Sequence, residues 1–203
     1  MNKLIFILGI IFSFNIHSEA KFSWKIDPSI HNNVPFIKHE SSKPFGNYVA
    51  MNIHFNPVKD LFNKLDVFMK GKLSKKNART EAHITIITPP EFDFVLSKNL
   101  TIQELTNLAK EMNIQDSKFS IICVGRGDYK EDSTFFLVVR SRKLKDYRKR
   151  VFDLYKKKGG DASKFDPNLF YPHITIGYTD KDLHLGPHGV KKGINSCWGK
   201  TVK

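Results

Sequence analysis

The sequence is short of cysteine, of acid and of long apolar runs, and each shortage excludes something. Two cysteines in 203 residues cannot build a disulfide-dense scaffold or a cysteine-rich zinc site. Asp and Glu number 20 against 33 Lys and Arg, a net charge of +13. That surplus draws polyanions to the surface, whether nucleic acid, anionic headgroups or acidic glycans. Past residue 20 no apolar stretch approaches the roughly 20 residues of a spanning helix, so stable membrane insertion is not expected. There is no Walker loop, no dinucleotide glycine fingerprint and no Gly-x-Ser-x-Gly elbow, so nucleotide-driven and serine-hydrolase chemistry lack support. Heptads, Gly-x-y periods and low-complexity runs are missing too. What remains is globular: 40% hydrophobic residues and 12% aromatic, with 17 Phe. The length suits one domain, or two small lobes around one core.

The first twenty residues read as an export leader. Lys3 supplies the positive end, Leu4 to Ile16 is almost continuously apolar, and Ser18-Glu19-Ala20 fits a peptidase site. Cleavage after Ala20 is expected to release a periplasmic or secreted protein. It removes one Lys and one Glu, so the charge surplus is unchanged. The apolar run is too short for an anchor, and no Cys follows the cleavage site as a lipoprotein requires. Cys123 and Cys197 sit in a chain bound for an oxidising compartment, where thiols often pair. Nothing in the sequence fixes their distance, so a bridge and two separate thiols both stay open.

Residues 21–44 carry Pro28, Pro35 and Pro44 and read as an irregular N-terminal segment. Alternation at 48–55 predicts a strand, with Val49, Met51, Ile53 and Phe55 inward and Tyr48, Ala50, Asn52 and His54 outward. Asn56-Pro57 opens a helix to Met69. A basic connection, 70–79, leads to a strand at 80–88, ended by Pro89-Pro90. Thr101 and Glu104 fit a capping box before a helix at 102–113. Strands at 118–124 and 134–140 read as a hairpin, its turn beginning at Gly125-Arg126-Gly127-Asp128. A helix at 143–157 presents Lys143, Lys145, Arg148, Lys149, Lys156 and Lys157 on one solvated face. A final strand spans 170–178, and 181–203 forms a C-terminal extension.

These elements repeat. Strand 48–55, helix 57–69 and strand 80–88 match strand 134–140, helix 143–157 and strand 170–178. The last strand of each contains the same tetrapeptide, His83-Ile84-Thr85-Ile86 and His173-Ile174-Thr175-Ile176. Equivalent placement turns a weak repeat into the signature of an internal duplication. The strand period of two puts each His and Thr on one face and the isoleucines on the other. Two such strands about a pseudo-twofold axis would set two imidazoles and two hydroxyls in one cleft. One imidazole can then take a proton from water while the other gives one to a leaving oxygen. The hydroxyls can donate to phosphoryl oxygens where charge builds. No metal and no cofactor enter this scheme.

Two His-x-Thr-x motifs on paired strands resemble the 2H (two-histidine) phosphoesterase superfamily. The first, in Glu81-Ala82-His83-Ile84-Thr85-Ile86-Ile87-Thr88-Pro89-Pro90-Glu91-Phe92, looks most like the Swiss Army Knife RNA repair-like branch. Tyr171-Pro172-His173-Ile174-Thr175-Ile176-Gly177-Tyr178 resembles the usual second motif. The resemblance covers about 45–180. It implies an α+β, bilobal, pseudo-twofold fold, with two antiparallel sheets lining a central cleft and helices outside. It also implies hydrolysis of 2′,3′-cyclic or 2′,5′-type phosphodiesters at RNA ends or in nucleotides, with His83, Thr85, His173 and Thr175 as the catalytic set. The alternative is a module that binds RNA or a cyclic nucleotide without turnover.

Five further residues are candidate substrate contacts. Glu81 shares the face of His83 and can orient it. Tyr171 shares the face of His173, and Tyr178 flanks the motif; either can stack on a base. Gly177, two beyond Thr175 on the cleft face, has no side chain and can leave room for a ligand. Arg79, at a strand end, can meet phosphate. His184 and His188 have the spacing of a metal pair, but Gly-Pro lies between them and no acidic or Cys cluster accompanies them. His31, His39 and His54 have no partner motif and receive no role.

Overall fold

The computed structural model describes residues 23–75, 78–186 and 189–202. The leader lies outside these residues, as does His188. In chain order the elements are β1 (Ser23–Lys25), β2 (Val49–Ile53), α1 (Phe55–Phe68), β3 (Ala82–Ile87), α2 (Pro89–Phe94), α3 (Ile102–Glu111), β4 (Ser120–Tyr129), β5 (Asp132–Arg140), α4 (Arg142–Lys157), β6 (His173–Tyr178) and β7 (Cys197–Val202). Short 3-10 turns fill several of the connections.

Two sheets result. One pairs β2 with β3; the other runs β1-β7-β4-β5-β6. All pairings are antiparallel except β1 on β7, which is parallel. The fold is α+β, and its two repeated units are antiparallel strand pairs with a helix between their strands. β3 lies beside β6 where the sheets meet.

The duplication extends to an irregularity. Opposite Val49 and Ala50, β3 spends three residues, Thr85 to Ile87, so Ile86 is extra. Opposite Phe135 and Phe136, β6 spends Thr175 to Gly177, so Ile176 is extra. Each copy of the tetrapeptide thus carries a β-bulge at its fourth residue. A bulge bends its strand and re-aims the side chains beside it. The four tetrapeptide isoleucines are buried beneath.

The helices lock the units together by crossing over. α1 packs on β6, and α4 on β3. Phe62 of α1 sits where a Cβ on Gly177 would be, 2.7 Å from its Cδ2. Arg148 of α4 donates to the carbonyl oxygen of Ile86 at 2.7 Å. Each helix therefore braces the bulge of the other unit's strand, and one apolar core runs through both units.

Several elements differ from the sequence reading. β2 is buried on both faces, Ala50 and Asn52 included, because side chains from flanking segments cover the face read as outward. Gln115, for one, bonds both backbone groups of Asn52. α1 begins at Phe55 with His54 as its N-cap, and Pro57 falls within the first turn, where a missing N–H costs nothing. Pro89-Pro90 does not simply end a strand. It opens α2 behind a Thr88–Glu91 capping box. The hairpin turn falls at Lys130, which takes positive φ, and Gly125 to Asp128 are strand. Arg148 is not on the solvated face of α4. It is 1% exposed and holds Glu91 by two bonds of 2.8 and 3.1 Å.

The terminal segments are part of the body. β1 enters the larger sheet through β7, which itself pairs with β4. Cys123 and Cys197 form a disulfide that fastens β7 to β4.

Candidate functional site

β3 and β6 carry the two tetrapeptides to the junction of the sheets. His83, Thr85 and His173 are half-buried there, and Thr175 is buried. The two histidines meet different surroundings.

His83 has a carboxylate on one side and rings on the other. Its Nδ1 lies 3.3 Å from Glu81 Oε1. Glu81 is held below the usual carboxylate range, first by His83 itself, so an imidazolium at His83 has its counter-charge in place. The rings of Tyr48 and His39 lie 5.7 and 5.9 Å from it, centroid to centroid. Burial and the nearby Glu81 charge push the Tyr48 phenol up to about 12, so it stays neutral.

His173 is held by the backbone. Its Nδ1–H donates to the Tyr171 carbonyl at 2.7 Å, which selects the tautomer with a lone pair on Nε2. The Phe136 ring meets it edge to face at 5.8 Å. Burial, and then the positive charge of Lys192, hold it well below the usual imidazole range. It is neutral at neutral pH.

Beneath His173 and Thr175 lies an ionic cluster that the motifs do not announce. Asp182 accepts from Lys192 Nζ at 2.6 Å, Thr134 Oγ1 at 2.8 Å and Arg79 Nη2 at 2.9 Å. Thr175 Oγ1 reaches it at 3.4 Å, a long and weak bond. Burial opposes the charge on Asp182, yet Lys192 and these donors keep the carboxyl well below its usual range. Lys192 also stands over the Phe136 ring, 5.5 Å from its centroid.

The remaining candidates divide. Arg79, Glu81 and Tyr178 line an open cleft of about 570 Å³ with His184 and Asp182. Arg79 pairs with Asp182 through Nη2 at 2.9 Å and keeps part of its guanidinium exposed in that cleft. Tyr171 acts through its carbonyl on His173. Gly177 opens no room for a ligand: the bulge at Ile176 breaks the alternation, and Phe62 and Leu73 occupy the space. Among the described residues, no group of three or more His, Cys, Asp or Glu side chains is placed to hold a metal ion. No helix among them is long and apolar enough to cross a membrane.

Asp182, Lys192 and His39 escaped the sequence reading, because no motif or period marks them. Each lies outside the strands that carry the chemistry and reaches the site only through the fold. For Arg148, a single long cation interrupting the apolar face of α4 was the available signal.

Paired His-x-Thr strands on matching units, one imidazole beside a carboxylate and the other held neutral, define a two-histidine phosphoesterase type of site. The sequence agrees: the model of the Swiss Army Knife 2H phosphoesterase domain matches residues 47–184. The chain belongs to that family, and phosphoester hydrolysis is the activity its domain supports. No curated protein and no solved structure gave a significant match.

Proposed function

We propose that this chain is an exported phosphodiesterase that hydrolyses 2′,3′-cyclic or 2′,5′-type phosphodiesters of RNA ends or nucleotides by paired imidazole catalysis. The observation that carries this reading is the unequal pair. His173 offers a neutral Nε2, and His83 has a carboxylate ready to balance its charge.

In the proposed step, water attacks phosphorus and gives its proton to His173 Nε2. The P–O bond to the 2′ or 3′ oxygen breaks, and that oxygen takes a proton from His83. One water is consumed and a phosphomonoester is released. A bound phosphodiester carries negative charge, which favours the imidazolium at His173 and so strengthens a base that is weak in the free protein. Thr85 stands ready to donate to a phosphoryl oxygen. Thr175 can do the same by trading its 3.4 Å contact with Asp182, an exchange that sacrifices little.

Export is supported by the leader-like N-terminus and by the Cys123–Cys197 disulfide, since such bonds persist in oxidising compartments. The charge of +13 suits a polyanionic substrate.

The test is product analysis of residues 21–203 with nucleoside 2′,3′-cyclic monophosphates and a short RNA ending in 2′,3′-cyclic phosphate, in chelator. Wild type should open the ring. His83→Ala and His173→Ala should each lose at least about a hundredfold. Tight binding with no turnover would replace this reading with the binding-module one.

A further inference from the structure

His39 precedes the region that matches the family, 47–184, yet the fold seats it at the first motif. Its backbone bridges to Tyr48, with Tyr48 N–H donating to the His39 carbonyl at 3.2 Å. Its ring lies flat on Tyr48, centroids 4.0 Å apart and planes 15° from parallel. Both rings then face His83. Stacked rings of this kind make a rigid wall, because neither can rotate without losing the other.

The polar atoms around that wall are unusual. His39 Nε2 and Asn52 Oδ1 are both buried beside the first motif, a side-chain bond from Asn52 favours the charged form of His39, and His83 Nδ1 has its ion-pair contact with Glu81. Asn52 is the residue opposite His83 in the β2–β3 register.

We propose that His39 is a positioning residue for His83: stacked on Tyr48, it confines the His83 ring against Glu81, and its own protonation sets the acidic limit of the site. This rests on the reading of His83 as the proton donor. The groups facing His39 are Tyr48 and Asn52 from β2 and its approach, His83 and Glu81 from β3 and its approach, and Glu40 beside it in the chain. Of these, Glu81 is the anion that touches His83, and it balances one imidazolium there. A second proton, on His39, sets two like charges in adjoining rings and drives them apart. Burial, and then His83, hold His39 below the ordinary imidazole range, against the opposing pull of Glu81 and Asn52, so it stays neutral at neutral pH. As the pH falls, His39 charges, the wall opens and the donor loses its place.

The experiment combines histidine ring NMR titration with kcat and KM against pH, on the full chain. His39 should titrate below a free histidine, and its midpoint should rise by about half a pH unit or more in His83→Asn. His39→Ala should lower kcat about tenfold while KM moves less. His39→Phe restores a flat ring on Tyr48 without charge. It should lose less kcat than His39→Ala, and its acid limb should extend to lower pH. An unchanged His39 midpoint in His83→Asn overturns the proposal. So does an acid limb in His39→Phe identical to wild type, or equal losses in the two His39 variants. If no phosphodiester is turned over at all, the reading of function fails, while the titration arm still decides whether the two rings are coupled.

Discussion

Replacing Lys192 with Met tests whether the cluster beneath the second motif controls His173. Met keeps an unbranched chain over Phe136 and removes the ammonium, with its charge and its hydrogen bond to Asp182. Lys192 Nζ and the His173 ring lie 5.5 and 5.8 Å from the Phe136 centroid, so charge and ring are within roughly 11 Å. At an effective dielectric of about 20, two charges at that distance interact by about 1.5 kcal/mol. That energy corresponds to about one pH unit in the midpoint. Lys192 opposes a proton on His173, so the His173 midpoint should rise by about one unit in Lys192→Met, read from its ring resonances. The sign for stability follows. His173 binds fewer protons folded than unfolded, so it withdraws stability as the pH falls below about 6.5, until its folded midpoint is passed. In the variant this loss should span a narrower window. Overall stability should also drop, because Asp182 is 8% exposed and loses its 2.6 Å partner. Breaking a buried pair costs about 3–5 kcal/mol. Arg79 and Thr134 still hold the carboxylate, so about 2–3 kcal/mol is expected in urea unfolding. A His173 midpoint that stays still or falls would refute the reasoning, whatever the change in stability.

Arg148→Met should cost about 3 kcal/mol or more in urea unfolding, since it strands the Ile86, Asp166, Pro167 and Leu169 carbonyls and Glu91 together. The double change Cys123→Ser with Cys197→Ser opens a link across 74 residues. Loop entropy sets its cost near a ceiling of about 4 kcal/mol, and a reductant titration of wild type should reproduce the loss. Gly177→Ala forces a Cβ to within 2.7 Å of the Phe62 ring. It should destabilise by about 1–3 kcal/mol in thermal unfolding; unchanged stability with weaker substrate binding would restore the reading of Gly177 as a ligand contact.

The sequence disclosed most where residues act locally. Period-two alternation placed β3 and β6, and Thr101 with Glu104 placed α3. Thr88 and Glu91 carried the same capping signal, but the Pro-Pro between them masked α2. β7 was illegible because Cys197 to Val202 is short and has no clean apolar–polar alternation; its pairing with β4 and the disulfide, not its own pattern, make it a strand. The motif histidines stood out, whereas Asp182, Lys192 and Arg148 did not. Their roles depend on partners 10 to 103 residues away in sequence, and such pairings leave no periodic trace. Gly177 shows the reverse failure: simple alternation was applied past a bulge that only the pairing register reveals.

The duplication builds two like histidine strands, and what lies outside it makes the histidines differ. Symmetry supplies equal strands, equal bulges at Ile86 and Ile176, and helices that brace each other's units. Left equal, the two imidazoles would have one charge preference, and neither would be marked as donor or acceptor. The difference comes from residues the repeat does not copy. Glu81 stands two before His83, where the second motif has Tyr171, and Tyr171 contributes its carbonyl instead of a charge. Lys192, beyond the family region, adds a cation on the His173 side only. His39, ahead of that region, adds a ring on the His83 side only. The repeated units thus bring the two histidine strands together, and the unrepeated segments make their surroundings differ. Exchanging Glu81 for Gln should therefore weaken proton donation by His83 and lower kcat on poor leaving groups more than on good ones. Equal losses on both would mean that Glu81 serves the fold and not the proton.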